Sequence, residues 1–401
     1  MKSSSPSAIE WAAATRDGFD VAVGNPPFVR FQFLRTADKL SLIVLGKRMG
    51  VSFSGVGNLW IPVFLGSLSR LRAGGAASFV VPTECLTGIS AGLVRQWLVQ
   101  HVGDLRLDLF PPGSFPGVLQ EVLVVSGKRR AEQVEAGPLE IVEHDGVGAT
   151  RSWTYQVPAG TGSWSRYLLD PSHLDALDEV HGLPVTRALG EIASIEVSIV
   201  TGANDYFSVD EATISKFELA AWAKPLLPRI RHAPGLIYKP ADQRAAALSG
   251  ARSWLLDFSS ELPDPTAFGR PRLYLKTGEE RDLHRRYKCR IRDPWYRVPS
   301  IRAGELLLSK RSHRFHRLVL NSAGSLTTDT IYRGWMRSAF RGYERNLVAS
   351  FHNSLTLLSA ELEGRSFGGG VLELVPSEIA RLRVPLASRT RRDAAGCRRP
   401  C

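Results

Sequence analysis

Four consecutive residues, Asn25-Pro26-Pro27-Phe28, carry the most specific chemistry in the sequence. An amine conjugated to an aromatic ring is a weak nucleophile because its lone pair is delocalised. Hydrogen-bond acceptors that draw the amine towards tetrahedral geometry restore its reactivity, provided the ring is held in line with an electrophile. Asn25 offers a side-chain carbonyl, and Pro26 a backbone carbonyl in a loop whose prolines fix the direction of that dipole. Phe28 offers a flat face on which a ring can stack. A rigid turn after a strand would use the same residues, so the four alone do not decide between the two.

The surrounding elements set the position of the loop. Residues 19 to 24 read as a short buried strand that ends on glycine just before it. In open α/β sheets ligands gather beyond the carboxyl ends of the strands, where this loop falls. Residues 58 to 72 read as a helix, because Trp60, Phe64, Leu68 and Leu71 share one face, and Gly74-Gly75 ends it. Ala76 to Val81 reads as a strand buried on both faces of a parallel sheet. A helix over 88–100 and strands over 105–110 and 118–126 follow. This alternation predicts an α/β architecture with a mainly parallel sheet. From Lys128 to about Asp178 the chain is charged and broken by Gly and Pro, as in a connector with a few strands. Beyond it a mixed, loop-rich α+β domain is expected. The domains are therefore drawn at 1–182 and 188–386, with an Arg-rich, disordered tail over 387–401.

The 401 residues are enough for two cores, and 44% hydrophobic with 22% charged content fits a globular protein. No apolar run approaches the roughly 18 residues of a membrane span, and the Ser-rich start lacks a signal-peptide core. The cytoplasm is the expected location. Cys85, Cys289, Cys397 and Cys401 lie too far apart for a disulfide framework or a zinc site, so Cys85 is expected to be a small buried hydrophobe and no metal is expected. The net charge of +12 is uneven. Residues 1–180 hold 16 Lys+Arg against 17 Asp+Glu, and residues 181–401 hold 35 against 22. The whole basic excess lies in the second half and suits a polyanionic partner. Arg285, Arg286, Lys288, Arg290 and Arg292 surround Tyr287. A second group, Lys310, Arg311, Arg314 and Arg317, includes His313 and His316, which are expected at the surface or facing phosphate. Such clusters suit phosphate contacts that position a duplex.

Phe-Asp-Val-Ala-Val-Gly-Asn-Pro-Pro-Phe resembles the catalytic motif of gamma-type DNA adenine-N6 methyltransferases of restriction-modification systems. Asn58-Leu59-Trp60, Gly74-Gly75 with Phe79-Val80-Val81-Pro82, and Phe110 to Phe115 resemble later segments of that family, in family order. Less specific likenesses continue through Val197 to Phe207, Asp293 to Tyr296, Leu326 to Asp329 and Asn353 to Gly370. The resemblance implies a partial class I, Rossmann-like methyltransferase sheet followed by a target-recognition domain, with double-stranded DNA as partner and S-adenosylmethionine as methyl donor. Asn25 and Pro26 would accept from the amine of a flipped adenine, with Pro27 completing the loop. Phe28 would stack on the base and Phe115 would make a second aromatic contact. The basic residues Arg285, Arg286, Lys288, Arg290, Lys310, Arg311 and Arg314 would meet DNA. Asp20 is expected to fix neighbouring backbone, and Asn58 to cap its helix. Val63 stands where the family often has a cofactor-contacting phenylalanine.

In gamma-type enzymes the Gly-rich turn and acidic residues for the cofactor precede the Asn-Pro-Pro loop. Here 24 residues precede Asn25 and none form that set; Gly55-Val56-Gly57 reads as a mobile loop. A truncated enzyme is expected, or one whose cofactor half comes from a separate polypeptide. Rival readings are a DNA-binding companion subunit inactive alone, and the same loop chemistry on a glutamine amide or RNA. A fused nuclease would need a carboxylate–lysine constellation that the sequence does not offer.

Overall fold

The computed structural model describes residues 18–30, 33–34, 36–53, 58–88, 90–111, 113–115, 121–146, 148–259, 261–366 and 370–386. The 387–401 tail, Gly55-Val56-Gly57 and Pro112 lie outside them. The chain divides into two compact units, residues 1–179 with 365–371, and residues 180–364 with 372–401.

The first unit is built on a six-stranded sheet. Its strands are β1 (Phe19–Gly24), β2 (Leu71–Pro82), β3 (Val102–Leu109), β4 (Val122–Arg129), β5 (Ala136–His144) and β6 (Ala149–Pro158), in the order β1-β2-β4-β3-β5-β6. The β1/β2 and β3/β5 pairs are parallel, and β4 runs antiparallel between β2 and β3. The expected mainly parallel sheet is thus met at two of the pairings. Helices α1 (Thr36–Met49), α2 (Trp60–Leu68) and α3 (Gly92–His101) accompany it.

Every residue of α2 is buried, and Trp60, Phe64 and Leu68 join Phe79, Val81, Leu98, Leu107 and Leu123 in one core. Filling such sites stabilises by about 1.5–3 kcal/mol per large apolar side chain. The helix ends at Leu68, not at residue 72, because Leu71 already pairs with Phe19 as the start of β2. Gly74-Gly75 therefore does not terminate a helix. It lies in an irregularity where β2 spends the stretch from Leu71 to Ala76 opposite Phe19 to Val21. A Cβ on Gly75 would come within 3.0 Å of the Phe19 carbonyl oxygen, so the close approach of β1 excludes a side chain there.

Two further expectations are corrected. The strand before the loop is not buried: Val21 is 60% and Val23 75% exposed, because β1 is the edge strand among the described residues. The stretch 128–178 is no connector. Leu139 and Ile141 of β5 face the core with Trp153 and Val157 of β6, and the polar residues alternating with them hid the period.

The second unit carries strands β7 (Ala193–Glu196), β8 (Ser208–Val209), β9 (Ala223–Pro225), β10 (Ile237–Tyr238), β11 (Trp254–Leu256), β12 (Leu306–Ser309), β13 (Leu318–Asn321) and β14 (Ile331–Met336). They form a five-stranded sheet, β10-β13-β12-β14-β7, and a three-stranded one, β9-β11-β8. Helix α4 (Gly269–Glu280) brings Tyr274 onto Tyr206, with ring centroids 4.7 Å apart, and Trp295 closes this aromatic core at 5.6 Å from Tyr206. The Trp295-Tyr296 pair is thus structural. Leu326 to Asp329 is tied to the Val197–Phe207 segment by Ser198–Thr327 (2.7 Å) and Asn204–Asp329 (2.9 Å) hydrogen bonds. Asn353 caps the helix Ser354–Glu363 by accepting from the Thr356 N–H at 3.0 Å. No helix among the described residues is long and apolar enough to cross a membrane.

Candidate active site and nucleic-acid surface

Strand β1 delivers the Asn-Pro-Pro loop at its carboxyl end. Gly24 is the last residue of the strand, and a Cβ there would sit 2.9 Å from the ring of Phe79, which packs edge-on against Phe64. Asn25 and Pro27 are exposed, Pro26 is buried, and Phe28 is half-buried against the first core. The loop is pinned from behind. The Val29 N–H donates to the Pro27 carbonyl at 3.0 Å, and the Leu59 N–H donates to the Val29 carbonyl at 2.8 Å. Arg30 bridges to Asn58.

This bonding leaves a pattern with chemical meaning. The Pro27 carbonyl is spent, whereas the Pro26 carbonyl and the Asn25 carboxamide accept no hydrogen bond among the described residues. Asn25, Pro26 and Pro27 line a cavity of 280 Å³ whose other walls are β1, Val63 and Ser67 of α2, and Phe79 of β2. Phe28 and Phe115 do not line it. The walls hold no carboxylate that could take ribose hydroxyls, so these residues do not by themselves fit a nucleoside cofactor.

Phe115 is half-buried and edge-on to Phe110 at 5.3 Å. Phe110 in turn stacks on the imidazole of His144, with centroids 4.7 Å apart and planes 10° from parallel. His144 Nε2 lies 2.7 Å from an Asp108 carboxylate oxygen, and Arg106 Nη2 donates to the same oxygen at 2.6 Å. Burial alone would raise the Asp108 carboxyl, but the hydrogen bonds from Arg106 and His144 outweigh it and hold it below the usual range. Sequence reasoning missed this support for the aromatic pair. Its one local signal was a carboxylate set among the leucines of β3.

Asp20 does not fix backbone; it forms an exposed ion pair with Arg72 Nε at 2.6 Å, the kind worth about 1 kcal/mol or less. The residue at the cap of α2 is Leu59, and Asn58 Oδ1 reaches only the Trp60 N–H at 3.4 Å. Val63 is buried and lines the cavity. Cys85 is fully buried as expected, as is Cys289.

In the second unit the basic clusters separate into two kinds. Lys288 and Arg290 of α5 (Tyr287–Arg290) lie over the ring of Tyr287, which is 63% exposed. These two, with exposed Arg286 and Arg314, make no ion pair among the described residues. By contrast Arg285 pairs with Asp282 (3.3 Å), and Lys310 and Arg311 flank Glu373 (3.6 and 2.8 Å). Arg292 donates to the Thr201 and Val200 carbonyls at 2.7 and 2.8 Å, and Arg317 to those of Ile230, Ala233 and Gly235. His316 does not face phosphate. It is fully buried, hydrogen-bonded to the Ser309 carbonyl at 2.8 Å, and burial pushes its imidazole down.

A strand-end loop whose two acceptors are free among the described residues thus sits on a mixed six-stranded sheet with parallel β1/β2 and β3/β5 pairs, followed by a mixed α+β unit. Residues 161–398 match the family model of the type II methyltransferase M.Eco57I C-terminal domain, and residues 3–106 match the Eco57I restriction-modification methylase model. The chain belongs to this Eco57I-type family of restriction-modification methylases, whose members use S-adenosylmethionine. It is 21% identical over 376 residues to the type II methyltransferase M.XamI of Xanthomonas campestris pv. amaranthicola, covering 92% of this chain and 68% of that protein. Among solved structures it is similar to the type IIG restriction endonuclease BpuSI (14% identity, 93% and 48% covered, TM-score 0.38). It is also similar to the type IIL restriction-modification enzyme MmeI in complex with DNA (13% identity, 78% and 40% covered, TM-score 0.48). The chain thus spans less than half the length of those two.

Proposed function

We propose that this chain carries the base-handling loop and the target-recognition domain of a site-specific DNA methyltransferase that modifies the N6 amine of an adenine flipped out of the duplex. The observation that carries the reading is the pair of unspent acceptors, Asn25 Oδ1 and the Pro26 carbonyl, beside a cavity at the carboxyl end of β1. Accepting both amine protons draws the nitrogen lone pair out of conjugation with the ring. Phe28, and Phe115 held through Phe110 and His144, provide aromatic faces that compensate a base for its lost stacking. The methyl donor this reading implies is S-adenosylmethionine, and no residue lining the cavity is assigned to hold it. Residues 188–386 serve target recognition, with Arg286, Lys288, Arg290 and Arg314 as unpaired cations for the duplex and Arg285, Lys310 and Arg311 beside them.

A second reading, a companion subunit silent without a separate cofactor-binding half, is favoured by the place of β1 at the sheet edge and by the absence of a carboxylate from the cavity walls, both among the described residues. One experiment tests both. Duplex DNA is incubated with the chain and S-adenosylmethionine, then digested to nucleosides for mass spectrometry. The first reading predicts N6-methyldeoxyadenosine from the chain alone, and the second predicts it only when the cofactor half of a relative is added. Methylated cytosine, or methyl found instead on a glutamine peptide supplied alongside, contradicts both.

A further inference from the structure

The second unit holds another cavity, also of 280 Å³, whose walls are of a different chemistry. Arg229, Arg231 and His232 enter it from one turn, Arg252 from the segment leading into β11, and Asn204 and Thr328 from the tied segments described above. Asp205 is the single carboxylate among the lining residues, against three guanidinium groups. It is engaged by Arg252, whose Nη1 reaches the Asp205 carbonyl at 3.1 Å and its carboxylate at 3.5 Å. Arg229 and Arg231 are exposed and have no ion pair or side-chain hydrogen bond among the described residues. His232 Nδ1 is buried and also lacks a hydrogen-bond partner. Burial first, then the charges of Arg231 and Arg229, push its imidazole below the ordinary range. The neutral ring therefore leaves one ungratified nitrogen in a site crowded with positive charge.

The turn itself is fixed. The His232 N–H donates to the Arg229 carbonyl at 3.0 Å, and the Ala233 N–H to the Ile230 carbonyl at 3.1 Å. The guanidinium of Arg317 holds the carbonyls of Ile230, Ala233 and Gly235 at 3.2, 2.9 and 2.8 Å. Cations presented by a braced backbone lose little freedom when they bind, and the guanidinium fork matches two oxygens of a phosphate. No aromatic ring that could hold a base lies in the walls apart from His232. That disfavours a free nucleotide and favours an anion presented by a polymer. The Asn204–Asp205 wall continues through Gly202, where an added Cβ would come 2.8 Å from Lys288 Cβ, to Thr201, which Arg292 grips. The cavity and the cations around Tyr287 thus border one continuous segment.

We propose that this cavity seats a backbone phosphate of duplex DNA, with Arg229 and Arg231 donating to its oxygens and Arg317 positioning their turn. The proposal rests on the DNA-substrate reading above. Its test uses the full chain, a mixed-sequence duplex and fluorescence anisotropy over a range of KCl concentrations. Arg229→Gln with Arg231→Gln should weaken binding about tenfold and reduce the slope of log K against log salt by about 0.9, the loss of one phosphate contact. The thermal midpoint should not move, because neither side chain has a partner among the described residues. Arg244→Gln with Arg272→Gln, exposed elsewhere in the same unit, removes the same charge and should leave the slope unchanged. An unaltered slope in the first variant, or an equal loss in both, overturns the proposal while the parent's salt-dependent binding keeps the DNA reading. A parent chain that binds no duplex overturns the two together.

Discussion

The Asn25–Phe28 loop and the basic segments of the second unit place function differently in the fold. In the loop, the proposed role follows from position. The turn's own hydrogen bond is made at Pro27, one residue past the two acceptors proposed to hold the amine, so Asn25 and Pro26 accept none among the described residues. In the basic segments residue type decides little. Arg290 lies exposed over Tyr287, whereas Arg292, two residues on, spends its guanidinium on the carbonyls of Val200 and Thr201. A motif anchored to a strand end can be read from its neighbours in sequence. An arginine cannot be assigned until the carbonyls around it are known.

The sharpest way to break this contrast is to compare those two arginines. Arg292→Met should lower the free energy of unfolding by about 2–4 kcal/mol, because it removes charge-assisted hydrogen bonds and leaves two carbonyls short of a donor. Arg290→Ser should change stability by less than about 0.5 kcal/mol, yet lower the salt slope of duplex binding by about 0.9. Urea denaturation with anisotropy reads both quantities, and equal destabilisation by the two variants would erase the distinction.

A smaller effect concerns the scaffold behind the loop. Burial pushes the Cys85 thiol up to about 12, with Arg95 only partly opposing it. Between the unfolded thiol range, roughly 8.5, and that value, the unfolded chain releases a proton that the native chain keeps. Stability from this group is therefore complete below the unfolded value and declines as pH rises through the window. Urea midpoints followed from neutral to alkaline pH should fall less steeply for Cys85→Ala than for the parent. Parallel slopes would place the thiol outside the core.

What the sequence revealed follows the same division. Helix α2 was legible because Trp60, Phe64 and Leu68 repeat at helical spacing and all three are buried. Its end was not, because Leu71 continues the apolar period while already paired in β2. Gly74-Gly75 looked like a terminator, since a glycine pair signals a helix end as readily as the β-irregularity it serves here. Strands β5 and β6 were read only as a few strands of a connector, because polar residues alternate with Leu139, Ile141 and Val157. The loop and Phe115 were legible as motifs. His144 was not, because its partner Asp108 lies on another strand, 36 residues away. The Arg229–Arg231 turn escaped notice because it forms no run of charge, and its cavity is assembled from four separate segments.

The central claim is that the free acceptors of the loop act on the amine and contribute nothing to holding the duplex. Asn25→Ala, assayed for methyl transfer under conditions where the parent is active and for duplex affinity by anisotropy, tests it most directly. The account predicts transfer reduced by about 10²–10³-fold or more, as for loss of a transition-state hydrogen-bonding group, with affinity within about twofold of the parent. Near-normal transfer by the variant, or a loss of transfer matched by an equal loss of duplex binding, would contradict it.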